Sequence, residues 1–538
     1  MMRSKQVRLL PWRRGVRLCA LLAFSTGGAG GLSGCTYAED CVDERMCLAP
    51  PKSRCEVIEP GAGPVMDECG VFVRASAPDD AARAGTRAEP FTSLQDAIVE
   101  ARARGLRHVY ACGETFQEEV TLTSGIHLWG ARRCDDGDWS YAWAFDGPNE
   151  PTVIAPPEGI PLRVVGDDAA TSVIFGVRAV AADASARDGK SSIAMIVSQG
   201  ARAIVREGAI VAGNGEEGEP GEDMPSERAT SGLLGNHGVD ACTADFATGA
   251  LPVVTACDGG IESVGGYGGD GGLESGSDGE PGQPEPAENP EGNGRAGLGA
   301  DLTECSDGKA GADGASADRA GGAVGPGHID VDGWIGVQGE HGKRGGAGQG
   351  GGGGGGSKSR GPMIACRAGG PQGGAAGGSG GSGGCGGRGG GGGGYGGASI
   401  GIIALQGSVL TLEATKVTAA HGGRGGVGGI GQPGGKGHEG GYGGRHPVDR
   451  LWHACHGGKG GNGGRGGDGG GGLGGPSIGV ASLGATVTIA SGATLDHDAG
   501  GDGGLAGNAA PDDDEGKGEV GAAVPYRQFD GPDPLPPR

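Results

Sequence analysis

Between residues 71 and 205 the chain alternates brief apolar runs with Gly, Asp and Pro. The runs are Val71–Arg74, His108–Ala111, Glu119–Leu122, Ile126–Trp129, Thr152–Ile154, Leu162–Val165, Ser172–Phe175, Ile193–Val197 and Ala203–Val205, none longer than five residues. Such runs predict short strands. One segment departs from the rhythm. Leu94, Ala97, Ile98 and Ala101 recur at helical spacing, behind an N-cap at Thr92 or Ser93 and ahead of Gly105, and predict a helix. Further on, two segments repeat. Ser399-Ile-Gly401 leads into Ile402–Leu405 and Val409–Leu412, and Ser477-Ile-Gly479 leads into Val480–Leu483 and Val487–Ile489. Ser192–Val197, followed by Gly213-Asn-Gly215, is a weaker copy. Repetition of one supersecondary unit predicts a solenoid. A β-sandwich of equally short strands is the rival, disfavoured by the scarcity of Asn-Gly and Asp-Gly hairpin turns.

The order of residues adds a family resemblance. Gly85-Thr86, Pro90-Phe-Thr-Ser-Leu-Gln-Asp-Ala-Ile98, Val109-Tyr-Ala-Cys-Gly113, Glu118 and Gly125-Ile-His-Leu128 with Gly130 resemble the opening of pectin-lyase-like right-handed parallel β-helices, with Phe116 at the usual Tyr position. The resemblance implies an all-β coil of parallel rungs, closed at its N-terminal end by the helix. It also brings in polyuronate lyases and hydrolases, which use clustered carboxylates, often with calcium, and an Arg or Lys base.

From about 213 to 510 the composition changes. Of 538 residues, 129 are Gly, against about 7% in ordinary proteins. Gly falls on every third position from 333 to 351, from 422 to 443 and from 457 to 475. Period three matches an extended threefold helix with Gly at the crowded position. Collagen would also need a Pro-rich repeat. The second position is often Gly as well, as in Gly422-Gly-Arg-Gly-Gly-Val-Gly-Gly-Ile430, which suits packed polyglycine-type helices. Gly also loses the most entropy on ordering, so partly disordered insertions remain the alternative. The tracts are similar to those of mycobacterial surface proteins with polymorphic Gly-rich repeats, without the helical N-terminal module of that family.

The first residues read as an export signal. Arg3, Lys5, Arg8, Arg13, Arg14 and Arg17 precede the short apolar run Leu18–Phe24 and a stretch of small residues. Leu32-Ser33-Gly34-Cys35 resembles the lipobox of bacterial lipoproteins, which implies acylation of Cys35 and cleavage before it. An ordinary secretory signal with a chance Cys is the alternative. The Arg13-Arg14 pair lacks the remainder of a twin-arginine motif, so the general export pathway is expected. Thr36, where an inner-membrane lipoprotein carries Asp, points by the same analogy to the outer membrane of a Gram-negative bacterium. No run of about 20 apolar residues exists to span a bilayer, so the lipid is the expected membrane contact. The net charge of −23 argues against nucleic acid as a partner.

After the leader and Cys35, twelve cysteines remain: Cys41, Cys47, Cys55, Cys69, Cys112, Cys134, Cys242, Cys257, Cys305, Cys366, Cys385 and Cys455. An even set in an exported chain predicts disulfides whose connectivity the sequence leaves open. The simplest pairing joins near neighbours: Cys41 with Cys47, Cys55 with Cys69, Cys112 with Cys134, Cys242 with Cys257, and Cys366 with Cys385. No C-x₂-C pair exists, which disfavours zinc.

Catalytic motifs are weak in so Gly-rich a chain. Gly377-Gly-Ser-Gly-Gly381 matches a nucleophile elbow without a strand and helix to frame it. Gly189-Lys-Ser191 lacks the first Gly of a P-loop, because position 184 is Ala. Gly265–Asp270 and Gly463–Asp468 match isolated calcium repeats, which need tandem stacking. His438, His446, His453 and His456 lie near Cys455, which reads more simply as a disulfide half. Asp512–Glu515 reads as a solvated acidic tail. An enzyme of the β-helix class would draw on Asp167, Asp168, Asp183 and Arg178, although Asp167 and Asp168 also suit a turn.

The expected organisation is a signal peptide over 1–34, a Cys-rich tether over 35–70 and the first part of a β-helix over 71–215. A Gly-rich insertion follows over 216–398, then further rungs with a second insertion over 399–500, and an acidic, Pro-rich tail over 501–538. No catalytic residue, metal or cofactor is expected. The expected role is that of an outer-membrane, surface-exposed lipoprotein acting structurally or as an adhesin toward polysaccharide or other surface proteins. The alternative is a carbohydrate-active enzyme. Converging carboxylates and aromatic platforms on a groove would favour the enzyme, and scattered acids the passive role.

Overall fold

The computed structural model describes residues 55, 65–78, 83–135, 137, 139–141, 150–166, 170–186, 190–361, 363–446 and 452–530. Three parallel sheets run through it. Sheet A contains Gly70–Val73, His108–Cys112, His127–Arg132, Thr171–Phe175, Arg202–Arg206, Val409–Glu413 and Thr486–Ile489. Sheet B contains Thr115–Phe116, Thr152–Ile154, Val177–Val180, Ala209–Val211, Lys416–Thr418 and Thr494–Asp496. Sheet C contains Val120–Thr123, Leu162–Val165, Ser192–Val197, Ser399–Ala404, Ser477–Leu483 and Ala523–Phe529. From His108–Cys112 onward the chain visits A, B and C in rotation and adds one strand to each on every pass, an all-β arrangement compatible with a β-helix or another solenoid.

The periodicity explains the core. Val120, Leu162, Met195, Ile402 and Val480 are register partners on successive sheet C strands. Leu128, Ile174, Val205 and Leu412 do the same in sheet A, and Phe116, Ile154, Ala179, Ile210 and Val417 in sheet B. All fourteen are buried in one cluster. Helix α1, Leu94–Arg104, closes one end of it. The Ser93 hydroxyl accepts the Asp96 N–H, and Gly105 ends the helix at φ 69°, a left-handed value that suits Gly. Leu94, Ala97, Ile98 and Ala101 pack into the same cluster.

The two repeats and the weaker copy are adjacent strands of sheet C, with Ser192 opposite Ser399 and Ser399 opposite Ser477. These strands are buried on both faces. Their outer side chains, including Ile193, Ile400 and Ile478, lie under Ile329 and Trp334 of the hairpin His328–Asp330 and Gly333–Ile335.

The Gly-rich connections, over 212–398, 419–476 and 497–522, all fall at one corner, between sheet B and sheet C. They form a bundle of extended threefold helices joined by backbone hydrogen bonds. The segment 376–397 is its axis. Gly391, Gly394 and Gly397 donate to Glu222, Glu219 and Glu216, Gly387, Gly390 and Gly393 donate to Gly464, Gly467 and Gly470, and Gly377 and Gly380 donate to Gly269 and Gly266. In return its carbonyls accept from 339–354 on one side and from 423–444 on another. The close approach explains the composition. A Cβ on Gly380 would lie 1.8 Å from the Gly351 carbonyl oxygen, and one on Gly386 1.8 Å from that of Gly345. The Gly content of a segment follows the number of neighbours it touches. The axis is nearly all Gly or other small residues, whereas the outer segments 215–224 and 306–323 keep Gly at about every third position and carry Glu, Asp and Pro between.

Outermost N–H groups, with no helix beyond them, are received by short side chains. Asn214, Asp223, His237 and Asp240 accept from His421, Ile430, Tyr442 and Arg445. Asp307 and Asp313 accept from His456 and Asn462. Much of the acidic composition of this half thus satisfies backbone donors.

Within the tail expected over 501–538, the described residues 501–530 pack against the rest of the fold. Gly501 and Gly504 donate to Gly475 and Gly472 within the bundle, and Ala523–Phe529 is a strand of sheet C. Asp513 pairs with Arg319 at 2.6 Å.

Candidate binding surface

Five disulfides fix the body: Cys55–Cys69, Cys112–Cys134, Cys242–Cys366, Cys257–Cys385 and Cys305–Cys455. Near-neighbour pairing therefore fails in the Gly-rich half. Cys242 does not join Cys257, nor Cys366 Cys385, because antiparallel and parallel helices of the bundle bring together residues 124 to 150 positions apart. Cys35, Cys41 and Cys47 lie outside the described residues. Several disulfides mark export to an oxidising compartment. No described helix is long and apolar enough to cross a membrane.

Two of the four catalytic candidates are described. Asp167 and Asp168 lie outside the described residues. Asp183 accepts the Asn214 N–H at 2.7 Å at the entrance to the bundle. Arg178 stands on the outer face of sheet B. The Ser of the elbow-like motif, Ser379, is fully buried and accepts the Asn236 N–H. Asp270 and Asp468 of the calcium-like motifs accept from Gly249 and Gly431. His456 Nδ1 accepts from Gly443, His438 Nδ1 from Glu439, and His453 and His446 face backbone carbonyls. Among the described residues no group of three potential metal ligands exists.

Two outer faces are covered in part, and the last strand of each, Thr486–Ile489 in sheet A and Ala523–Phe529 in sheet C, stays largely exposed. Sheet C lies under the Trp334 hairpin. On sheet A, Phe72, Tyr110, Trp129 and Phe175 are covered by Val65 and Trp139. Arg132 is buried there, its guanidinium 5.4 to 5.6 Å from the rings of Tyr110, Trp129 and Tyr141, and burial lowers its pKa to about 10. Burial also pushes the nearby His108 down to about 4, with His127 adding to the effect. Sequence reasoning read these aromatics as strand residues and missed the cluster. Its only sequence sign is aromatic residues at successive register positions.

Sheet B keeps an open face. A groove of about 650 Å³ runs along it, lined by Pro151, Val177, Arg178, Glu207, Ala209, Val211, Lys416 and Thr418. Arg178, Ala209 and Lys416 are successive register partners, which sets the two cations two rungs apart, about 9.6 Å. Lys416 pairs with Asp496 at 3.3 Å. Glu207 lies near Tyr141 and, after burial, helps push that phenol's pKa up. The face thus offers spaced donors over an apolar floor, without converging carboxylates. No family model, curated protein or solved structure matches the chain.

Proposed function

We propose that this chain is an exported lipoprotein, acylated at Cys35 and held at the outer membrane, whose body is a pectin-lyase-like right-handed parallel β-helix with a structural or adhesive role at the cell surface. The observation that carries the reading is the hydrogen-bonded glycine bundle. Disulfide closure and backbone bonding on several sides make the Gly-rich half a rigid projection, with polar side chains on its rim. The axis segment, 376–397, extends roughly 68 Å at about 3.1 Å per residue. Weak contacts repeated along such a body sum to avid attachment, and the open groove on sheet B supplies a place for a polymer to lie.

The test uses immobilised neutral and acidic polysaccharides, with and without calcium, and follows both retention of the protein and new chain ends. Retention without cleavage, reduced by Arg178→Ala with Lys416→Ala, supports adhesion. New chain ends would establish the carbohydrate-active enzyme instead. Loss of labelled fatty acid from a Cys35→Ser variant checks the anchor separately.

A further inference from the structure

We infer that the glycine bundle has a docking groove for one more extended strand, supplied by a partner as a cationic peptide with Gly at the axis-facing positions. Along the axis segment, one row of N–H donors follows residues 374, 377, 380, 383, 386, 389 and 392. The first three donate to the carbonyls of Gly272, Gly269 and Gly266 on a neighbouring helix. That helix then turns away into the hairpin Val254–Ala256 and Glu262–Val264. Side chains replace it at two points: Gly383 donates to Ser263 Oγ at 2.7 Å and Gly392 to His341 Nδ1 at 3.0 Å. Between them, Gly386 and Gly389 have no backbone acceptor among the described residues. The position beside Gly389 is a groove of about 430 Å³ between the segments 219–224 and 338–341.

The geometry specifies the occupant. A strand continuing the axis of residues 264–272 would meet the donor row at the bundle's own spacing, one contact per three residues, about 9.3 Å. Gly389 is half-buried and lines the groove, whereas Gly386 is buried beneath it; the incoming backbone can approach Gly389 as closely as its neighbours do, provided it too presents Gly there. One wall carries Glu219 and Glu222, exposed and one threefold turn apart, with Glu216, Glu217 and Asp223 alongside. Glu219 already draws Lys190 to 3.3 Å. A Gly-Gly-Lys or Gly-Gly-Arg repeat therefore matches the wall in charge and the donor row in period.

The test measures binding of a fluorescent (Gly-Gly-Lys)₄ peptide to the full chain by anisotropy. Saturable binding is expected, weakened about tenfold or more by Glu219→Gln with Glu222→Gln, since the lost attractions are charge-assisted. The isocharged (Ala-Ala-Lys)₄ is expected to bind at least about tenfold more weakly, because its Cβ atoms exclude close approach. Met224→Trp, which narrows the groove from its rim, gives a second route to the same loss. Absence of (Gly-Gly-Lys)₄ binding, or equal binding of the alanine peptide, overturns the proposal.

Discussion

The Ser399 hydroxyl donates to the Gly213 carbonyl at 2.7 Å across 186 residues of sequence. It also accepts the Ala420 N–H at 2.8 Å. Ser192 bridges Ala182 and Gly213 in the same way, and Ser477 bridges Ala420 and Asp498. Three register partners thus tie the exit from sheet B to the entry of sheet C, at the corner from which the bundle departs. Ser399→Ala strips a part-buried carbonyl and a part-buried N–H of their partner. The expected cost is about 1–3 kcal/mol, read as a shift in the denaturation midpoint, and a change within experimental error would remove the ladder from the account.

Glycine at the axis is a steric requirement. Gly380→Ala sets a methyl group 1.8 Å from a backbone oxygen, so helices must separate. A loss of about 3 kcal/mol or more is expected, at the upper end of overpacking effects. Gly370, whose added Cβ meets only the Arg367 oxygen at 3.5 Å, is the matched control, and Gly370→Ala is expected to change stability by less than about 0.5 kcal/mol. Similar thermal midpoints for the two variants would contradict the packing described.

How much of this was readable beforehand varied by element. Ser192, Ser399 and Ser477 stand out as repeat markers, and the strands and helix they accompany followed from apolar spacing. The sheet B strands Val177–Val180, Ala209–Val211, Lys416–Thr418 and Thr494–Asp496 escaped notice. Each is three or four residues with only one or two inward side chains, too few for a period to register. The period of three was plain, yet composition could not decide between ordered helices and loops, because the stabilising contacts are backbone bonds between segments that are separate in the sequence, such as Gly391 to Glu222 and Gly387 to Gly464. Sequence distance also hid the disulfide pairing and the side-chain roles of Asp223 and Asp307, which accept from Ile430 and His456.

The disulfides across the bundle give a covalent check. Peptide mapping without reduction should recover Cys242–Cys366, Cys257–Cys385 and Cys305–Cys455. Replacing both Cys305 and Cys455 by Ser reopens a loop of 150 residues, for which a loss of about 2–5 kcal/mol is expected. Recovery of Cys242–Cys257 or Cys366–Cys385 would mean a different arrangement of helices.

Acid should weaken the fold through the sheet A cluster. His108 titrates near 6.5 when unfolded and near 4 when folded, so on acidification the unfolded chain takes up the proton first. His127 shifts in the same direction, mainly through burial. Stability is therefore full above about pH 6.5, falls as the pH drops toward 4, and levels off below; His108 alone accounts for at most about 3 kcal/mol. His108→Phe should flatten this part of the profile, and an unchanged slope would place the titrating group elsewhere.

The central claim is that the Gly-rich half is one hydrogen-bonded body. Amide hydrogen exchange over residues 376–397 tests it most directly. The account predicts slow exchange in this segment, with protection like that of the strand Ser399–Ala404 beside it and a weaker point at Gly389. Complete exchange of 376–397 within seconds, while Ser399–Ala404 stays protected, would contradict it.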